Sequence, residues 1–257
     1  MQKPTVPAIE FLADVYTNLG LVYIAQHKPD VALRALEQSL SLRKKINTLT
    51  PDVSMSITYN KAIAYLMTGR LDEADANLRR AAAYFARNKT DDDGLLKNQR
   101  KRLYIRILND MGEVLLRKDS VAEAIDIFKH ILSSMREELG EPHPTIVSIK
   151  LNLGRAYTKL GQFDTARSLL DDVIGIYTEW RGRHHPDTMR AIDELASTFM
   201  EEGEQKKAAG LFSEMEMQRA AELWNEVVAF YKSVYGDESD MVLRIRTNLR
   251  YLSRAGE

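Results

Sequence analysis

The sequence predicts an all-α chain, an α-solenoid of antiparallel helix pairs finished by a C-terminal capping helix, and three observations predict it. A small residue recurs at Gly20, Ala62, Gly112, Gly154 and Ala196, at intervals of 42, 50, 42 and 42 residues. A fixed period of this size is the signature of stacked repeats. Three further columns keep step with it: Tyr23, Tyr65, Leu115, Tyr157 and Phe199 at +3; Ala32, Ala74, Ala124, Ala166 and Ala208 at +12; Leu36, Leu78, Phe128, Leu170 and Phe212 at +16. Within each period the apolar residues fall at helical spacing on both sides of a turn, which implies two antiparallel helices per repeat.

Taken in order, the pairs span about residues 8–47, 51–88, 102–140, 144–181 and 186–236, and the cap spans 241–254. Glycine or alanine at the anchor and alanine at +12 let two helices approach closely, at a cost for glycine of about 1 kcal/mol relative to alanine in a helix. The aromatic residue at +3 fills the space beside them. Turns are expected at Lys28-Pro29, Gly69-Arg70, Lys118-Asp119, Gly161-Gln162 and Gly203-Glu204, because glycine suits the left-handed conformation that ends a helix. Thr50-Pro51-Asp52 and His143-Pro144 place proline at a first helical position, where its missing N–H costs nothing. His143 and His185 each precede such a proline and read as helix caps.

The period breaks twice. The longer second interval places an insertion at about 88–101, polar and charge-segregated; its Asn88-Lys89-Thr90 formally matches a glycosylation acceptor. Residues 205–236 keep helical spacing with no proline, so a single helix of about 30 residues, some 45 Å long at 1.5 Å per residue, is expected there. It is either covered by the terminal helix or left to contact a second chain through Trp224, Val228 and Tyr231, a possible self-association.

The columns resemble those of the tetratricopeptide repeat, matched by Leu19, Gly20, Tyr23 and Ala32 and most fully by Leu153, Gly154, Tyr157, Gly161, Phe163 and Ala166. The 42-residue length, with the segments 139–166 and 181–196, is similar to the long-repeat subclass of kinesin light chains and of the ends of large signalling ATPases. The resemblance covers roughly residues 10–215. The second repeat departs from it with Lys61 where leucine is usual, and the first with Pro29 at its turn. The resemblance implies a right-handed solenoid whose first helices line an inner groove.

Composition narrows the function. Apolar residues make up 44% and charged residues 28%, the proportions of a folded soluble chain. The formal charge of −1 gives no global pull toward nucleic acid or anionic lipid, and neither a nucleic acid nor a membrane partner is expected. Arg244, Arg246, Arg250 and Arg254 can still form a local basic patch. There is no cysteine, which removes disulfides and thiolate chemistry together. Neither a secretory signal nor a long apolar run is expected, so the cytoplasm is the default location. The common hydrolase, phosphate-loop, dinucleotide and zinc-protease motifs are missing. His184 and His185 lack a third ligand at a recognisable spacing. Catalytic residues, metal and cofactor are all expected to be none. Carboxylate pairs such as Asp171-Asp172 and Glu201-Glu202 need partial burial before they can do acid–base work.

A binding surface remains. Two residues before each anchor stand Asn18, Asn60, Asp110, Asn152 and Glu194, with Asn248 in a similar place in the cap. The recurrent asparagine resembles the ladder with which kinesin light chains hold a peptide backbone, an amide being both donor and acceptor. Around it the first two repeats offer Thr17, Leu21, Ile24, Tyr59, Ile63, Leu66 and Met67, and the later ones Asn109, Glu113, Arg117, Arg155, Lys159 and Arg190. Such a lining suits a protein or peptide with apolar anchors and an acidic residue, which arginine can grip through two parallel bonds. The chain is therefore expected to be a non-enzymatic scaffold. Two alternatives stay open: a pocket for a small hydrophobic ligand, even a cyclase-type enzyme that shapes a reactive conformer with Tyr59, Tyr65, Asn109 and Glu113, and a regulatory fragment of a larger signalling ATPase.

Overall fold

The computed structural model describes residues 5–87, 95–139, 143–211 and 213–255, and among these are eleven helices and no strand. They are α1 (Val6–Ala25), α2 (Pro29–Lys45), α3 (Pro51–Met67), α4 (Leu71–Arg87), α5 (Leu95–Arg117), α6 (Val121–Leu139), α7 (Pro144–Lys159), α8 (Phe163–Arg181), α9 (Pro186–Ala208), α10 (Glu214–Tyr235) and α11 (Asp240–Ala255). Where the sequence suggests a single domain over 1–257, contacts gather the chain into two compact units, residues 1–123 and 124–257, divided in the first turn of α6.

In the first unit α1 packs on α2 and α3, and the pairing repeats as α3 on α4 and α4 on α5. The anchor column does the work expected of it. A Cβ built on Gly20 would lie 2.7 Å from Leu36 Cδ2 and 2.8 Å from its Cγ, so a larger side chain must push the buried Leu36 of α2 aside. Ala32, Leu36, Ala62, Ala74 and Leu78 are all 0% exposed. Lys61, the departure from leucine, reaches instead to Glu37 of α2 at 3.1 Å.

The second unit repeats the scheme with α7 on α8, α8 on α9, α9 on α10 and α10 on α11. Here Gly154 is the crossing residue, its Cβ position 2.9 Å from both Leu170 Cγ and Cδ2. The histidine caps form as expected: Nδ1 of His143 accepts from the Thr145 N–H, and Nδ1 of His185 from that of Asp187, each at 3.2 Å.

Each first helix ends in the same way. The residue just past it has positive φ, at His27, Gly69, Asp119, Gly161 and Gly210. Two backbone bonds close each turn; in the second pair the Gly69 N–H donates to Leu66 O and the Arg70 N–H to Tyr65 O. This is the Schellman arrangement that satisfies the last carbonyls of a helix.

The fifth pair corrects two expectations. The chain does not turn at Gly203 and does not form one helix over 205–236. Helix α9 continues to Ala208, turns at Gly210 (φ +69°), and α10 starts at Glu214. Gly203 is buried inside α9, and its Cβ position is 3.0 Å from Met217 Cε of α10, so this glycine permits a close crossing. The strong helix formers Glu204 to Ala208 carry the helix past it. Lys206 then ties the turn by bonding Glu202 at 3.0 Å and Glu216 at 2.7 Å. Ala208 is consequently exposed. Its role passes to Ala220, and that of the +16 column to Trp224, both 0% exposed.

The expected insertion at 88–101 is also shorter. Residues 95–101 belong to α5, whereas 88–94, with Asn88, Lys89 and Thr90, lie outside the described residues, as does Phe212.

Candidate partner-binding surface

The first helices of each unit bring the predicted residues together in two separate groups. In the first unit these come from α1, α3 and α5. Asn18 and Leu21 are exposed on α1, while Ile24 is half-buried against Ala32, Leu33 and Ala64. Thr17 is turned from the surface: its hydroxyl bonds to Ser39 of α2 at 2.8 Å and donates to Ala13 O at 3.2 Å. Asn60, Ile63, Leu66 and Met67 on α3 are half-buried, leaving a partly exposed apolar strip.

Tyr59 does not line that strip. It is 4% exposed, and its hydroxyl donates to Asp110 Oδ2 of α5 at 2.7 Å, with the Arg106 guanidinium 5.7 Å from its ring. Burial, followed by the neighbouring carboxylate, pushes the Tyr59 phenol well above its ordinary pKa. Burial also raises Asp110, against hydrogen bonds from Tyr59 and Asn109 that lower it. Asp110 thus occupies the asparagine column of the third repeat as an interhelix tie. Of the four residues named for the small-ligand alternative, Tyr59 is thus buried between α3 and α5. Asn109 approaches Asp110 Oδ1 at 3.4 Å, and Arg117 bonds Glu113 at 3.0 Å and Leu66 O at 3.5 Å.

In the second unit the group comes from α7, α9 and α11. Asn152, Arg155 and Lys159 stand on one side of α7, Arg190 and Glu194 on α9, and Asn248 on α11. Asn152, Arg155, Glu194 and Asn248 are half-buried; Lys159 and Arg190 are exposed. Arg155 Nε meets Glu194 Oε1 at 3.1 Å, so the fifth member of the asparagine column neutralises the arginine expected to face a ligand. Burial holds Glu194 above the usual carboxylate range, and Arg155 offsets part of this. Glu201, raised by burial and lowered by Lys159, behaves likewise.

Beneath this surface lies a group that the columns did not announce. Asp193, 7% exposed, accepts from Trp224 Nε1 at 2.9 Å and from Arg244 at 2.5 Å, joining α9, α10 and α11. Of the two readings of this segment, cover by the terminal helix is the one found, and contact of Trp224, Val228 and Tyr231 with a second chain is not supported. Trp224 is 0% and Tyr231 4% exposed, and Val228 packs against the same core, because α11 and α9 cover that face of α10. Two of the C-terminal arginines are engaged as well, Arg244 with Asp193 and Arg246 with Asp237. Among the described residues, no three His, Asp or Glu side chains are placed to hold a metal ion.

Comparison with known proteins agrees with the helical-repeat fold. Tetratricopeptide repeat family models match residues 17–93, 103–179 and 145–215. The chain is 26% identical over 206 residues to Protein KINESIN LIGHT CHAIN-RELATED 2 of Arabidopsis thaliana, an alignment covering 78% of this chain and 29% of that protein. It thus spans under a third of the length of this curated relative. Its fold is similar to crystal structures of kinesin light chain tetratricopeptide-like repeats from Podosopora anserina, with a TM-score of 0.62 at 21% identity, covering 88% of this chain and 97% of the other. It is also similar to a signal transduction ATPase with numerous domains and a tetratricopeptide repeat sensor from Pyrococcus horikoshii. That TM-score is 0.63 at 14% identity, covering 96% of this chain and 34% of the other.

Proposed function

Because the chain belongs to the tetratricopeptide repeat family, we propose that it is a non-enzymatic scaffold whose first-helix faces hold a peptide or protein partner with an acidic residue and apolar anchors. The observation that carries this reading is in the second unit, where α7 carries Asn152, Arg155 and Lys159 at helical spacing and Arg155 meets Glu194 of α9, one turn beyond Arg190, at 3.1 Å. A carboxylate arriving there meets guanidinium donors at a partly desolvated surface, where charge-assisted bonds are stronger than in open water. Asn152 supplies a donor and an acceptor for the backbone beside it. In the first unit, separately, the half-buried Ile63, Leu66 and Met67 form a partly exposed strip suited to apolar side chains of a partner.

An acidic peptide selected by display against the full chain tests this. Asn152→Ala combined with Arg155→Ala is expected to weaken its binding at least about tenfold, roughly 1.4 kcal/mol; unchanged affinity in fluorescence anisotropy would sink the assignment.

Glu194 competes with the ligand for Arg155, so Glu194→Gln is expected to tighten the same peptide about fivefold at neutral pH, corresponding to ~1 kcal/mol. The pH dependence follows in sign. Glu194 and Glu201 have raised pKa values, so lowering the pH from neutrality toward the ordinary carboxylate range protonates them first. The carboxylate attraction on Arg155 and Lys159 weakens, and affinity rises until the peptide's own carboxylate titrates. Glu194→Gln should flatten that rise.

A further inference from the structure

The cations of the second-unit surface are not equivalent. Arg155 is bonded to Glu194 at 3.1 Å and Arg244 to Asp193 at 2.5 Å, so an incoming carboxylate would have to break a pair to reach either guanidinium. Arg190 is different. It is exposed on α9, and among the described residues no carboxylate bonds to it. Lys159 shares that property, but it stands in the last turn of α7, where a cation serves the helix's own terminal carbonyls, and its charge already acts on Glu201.

Two contacts fix how α7 lies beside α9: Arg155 meets Glu194, and the hydroxyls of Thr158 and Thr198 meet at 2.7 Å. The two helices therefore run in the same direction, and one turn back along each stand Asn152 and Arg190. On the other side of α9, Asp193 is bonded to Trp224 of the antiparallel α10. Following α10 from Trp224 to Tyr231 leads back toward the level of Arg190. Tyr177 of α8 and Tyr231 are 5% and 4% exposed, and the charge of Arg190 acts on both. The guanidinium stands at the edge of two buried rings, where a charge-assisted bond is stronger than in open water.

Arg155 keeps this position open. Glu194 follows Arg190 by one turn on the same face of α9, the spacing at which arginine and a carboxylate pair along a helix. It bonds across to α7 instead. Without Arg155 the half-buried Glu194 would be left uncompensated, a costly state, and Arg190 is one turn away.

Within the peptide-binding groove proposed above, on which this assignment rests, we infer that Arg190 is the seat of the partner's carboxylate and that Arg155 is a positioning residue holding Glu194 away from that seat. The planar fork of Arg190 takes the carboxylate through two parallel bonds, a geometry that lysine cannot supply.

The probes are the display-selected acidic peptide and the same peptide with its acidic residue changed to the isosteric amide, each titrated with the full chain by fluorescence anisotropy. The unsubstituted chain is expected to prefer the acid by at least about tenfold. In Arg190→Gln that preference should shrink to within about twofold, as it must when one of two coupled groups is removed; Lys159→Gln should keep it. Arg190 is exposed, so its replacement should not move the melting curve. Arg190→Lys, which keeps the charge and loses the fork, should fall between. Arg155→Ala is expected to weaken the acidic peptide, and adding Glu194→Gln should restore it to within about twofold of the unsubstituted chain, a rescue available only to a residue that acts through Glu194. Survival of the preference in Arg190→Gln overturns the seat, and absence of the rescue overturns the positioning role of Arg155. In both cases the groove itself stands as long as Asn152→Ala with Arg155→Ala still weakens the peptide. Binding that none of these variants changes overturns groove and seat together.

Discussion

Trp224→Ala is expected to lower the unfolding free energy of the second unit by about 3–5 kcal/mol, the range for truncating a large aromatic side chain in a core that cannot collapse onto the space. Trp224 is 0% exposed in a cluster that draws Val173, Ile192 and Leu195 from α8 and α9, Leu223 and Val227 from α10, and Val242 and Ile245 from α11. The lost packing is compounded by chemistry. Asp193 would keep Arg244 and lose its indole donor, and a buried acceptor deprived of a partner costs about 1–3 kcal/mol. Trp224→Phe separates the contributions, because it restores most of the apolar volume and none of the hydrogen bond; it should fall between the two proteins. Urea denaturation followed by circular dichroism measures all three. A loss below about 1 kcal/mol for Trp224→Ala, a size usual for surface changes, would contradict the buried placement.

How much of this was legible in the sequence depends on what each residue's job leaves in the one-dimensional pattern. Close helix crossings force small residues, and a repeated crossing forces them at a repeated interval. Gly20 and Gly154 therefore announced the helix pairs, and Ala32, Ala74 and Ala166 their second helices. The fifth pair misled for the same reason: Gly203 and Ala208 fall in register with the earlier columns, although the turn lies at Gly210 and the crossing residue is Ala220. The corrective signals were Gly210 after a run of helix formers and the Ser213-to-Glu216 spacing of a helix start.

Side-chain direction leaves a weaker trace. Tyr59 reads as a groove position, and Trp224 as an aromatic that a second chain could cover. Each is taken inward by one carboxylate, Asp110 and Asp193, 51 and 31 residues away along the chain. The Arg155–Glu194 pair is equally invisible, since it joins two repeats. Nor can the groove positions say which cation is already engaged, because Arg155 and Arg190 read alike until Glu194 is seen bonded to the first.

Gly154→Val provides the second large effect, an expected loss of about 2–3 kcal/mol from overpacking. The new Cβ would enter within 2.9 Å of Leu170 Cγ and Cδ2, closer than carbon atoms approach without repulsion. Cγ is not a free end that can swing away, and Leu170 is 0% exposed with its own neighbours around it. Helix propensity works in the opposite direction, since glycine is the poorest ordinary residue in a helix interior, so any net destabilisation must come from the crossing. Gly154→Ala is expected to cost less, its propensity gain of up to about 1 kcal/mol offsetting part of the clash. A double-mutant cycle isolates the cause. Leu170→Ala alone should cost about 2–5 kcal/mol, but in the Gly154→Val background it removes the clashing atoms and should cost at least about 1 kcal/mol less, a coupling of the size found between residues in contact. Additive losses would mean that α7 and α8 do not meet at Gly154, and that the repeating small residue serves some purpose other than letting the helices touch.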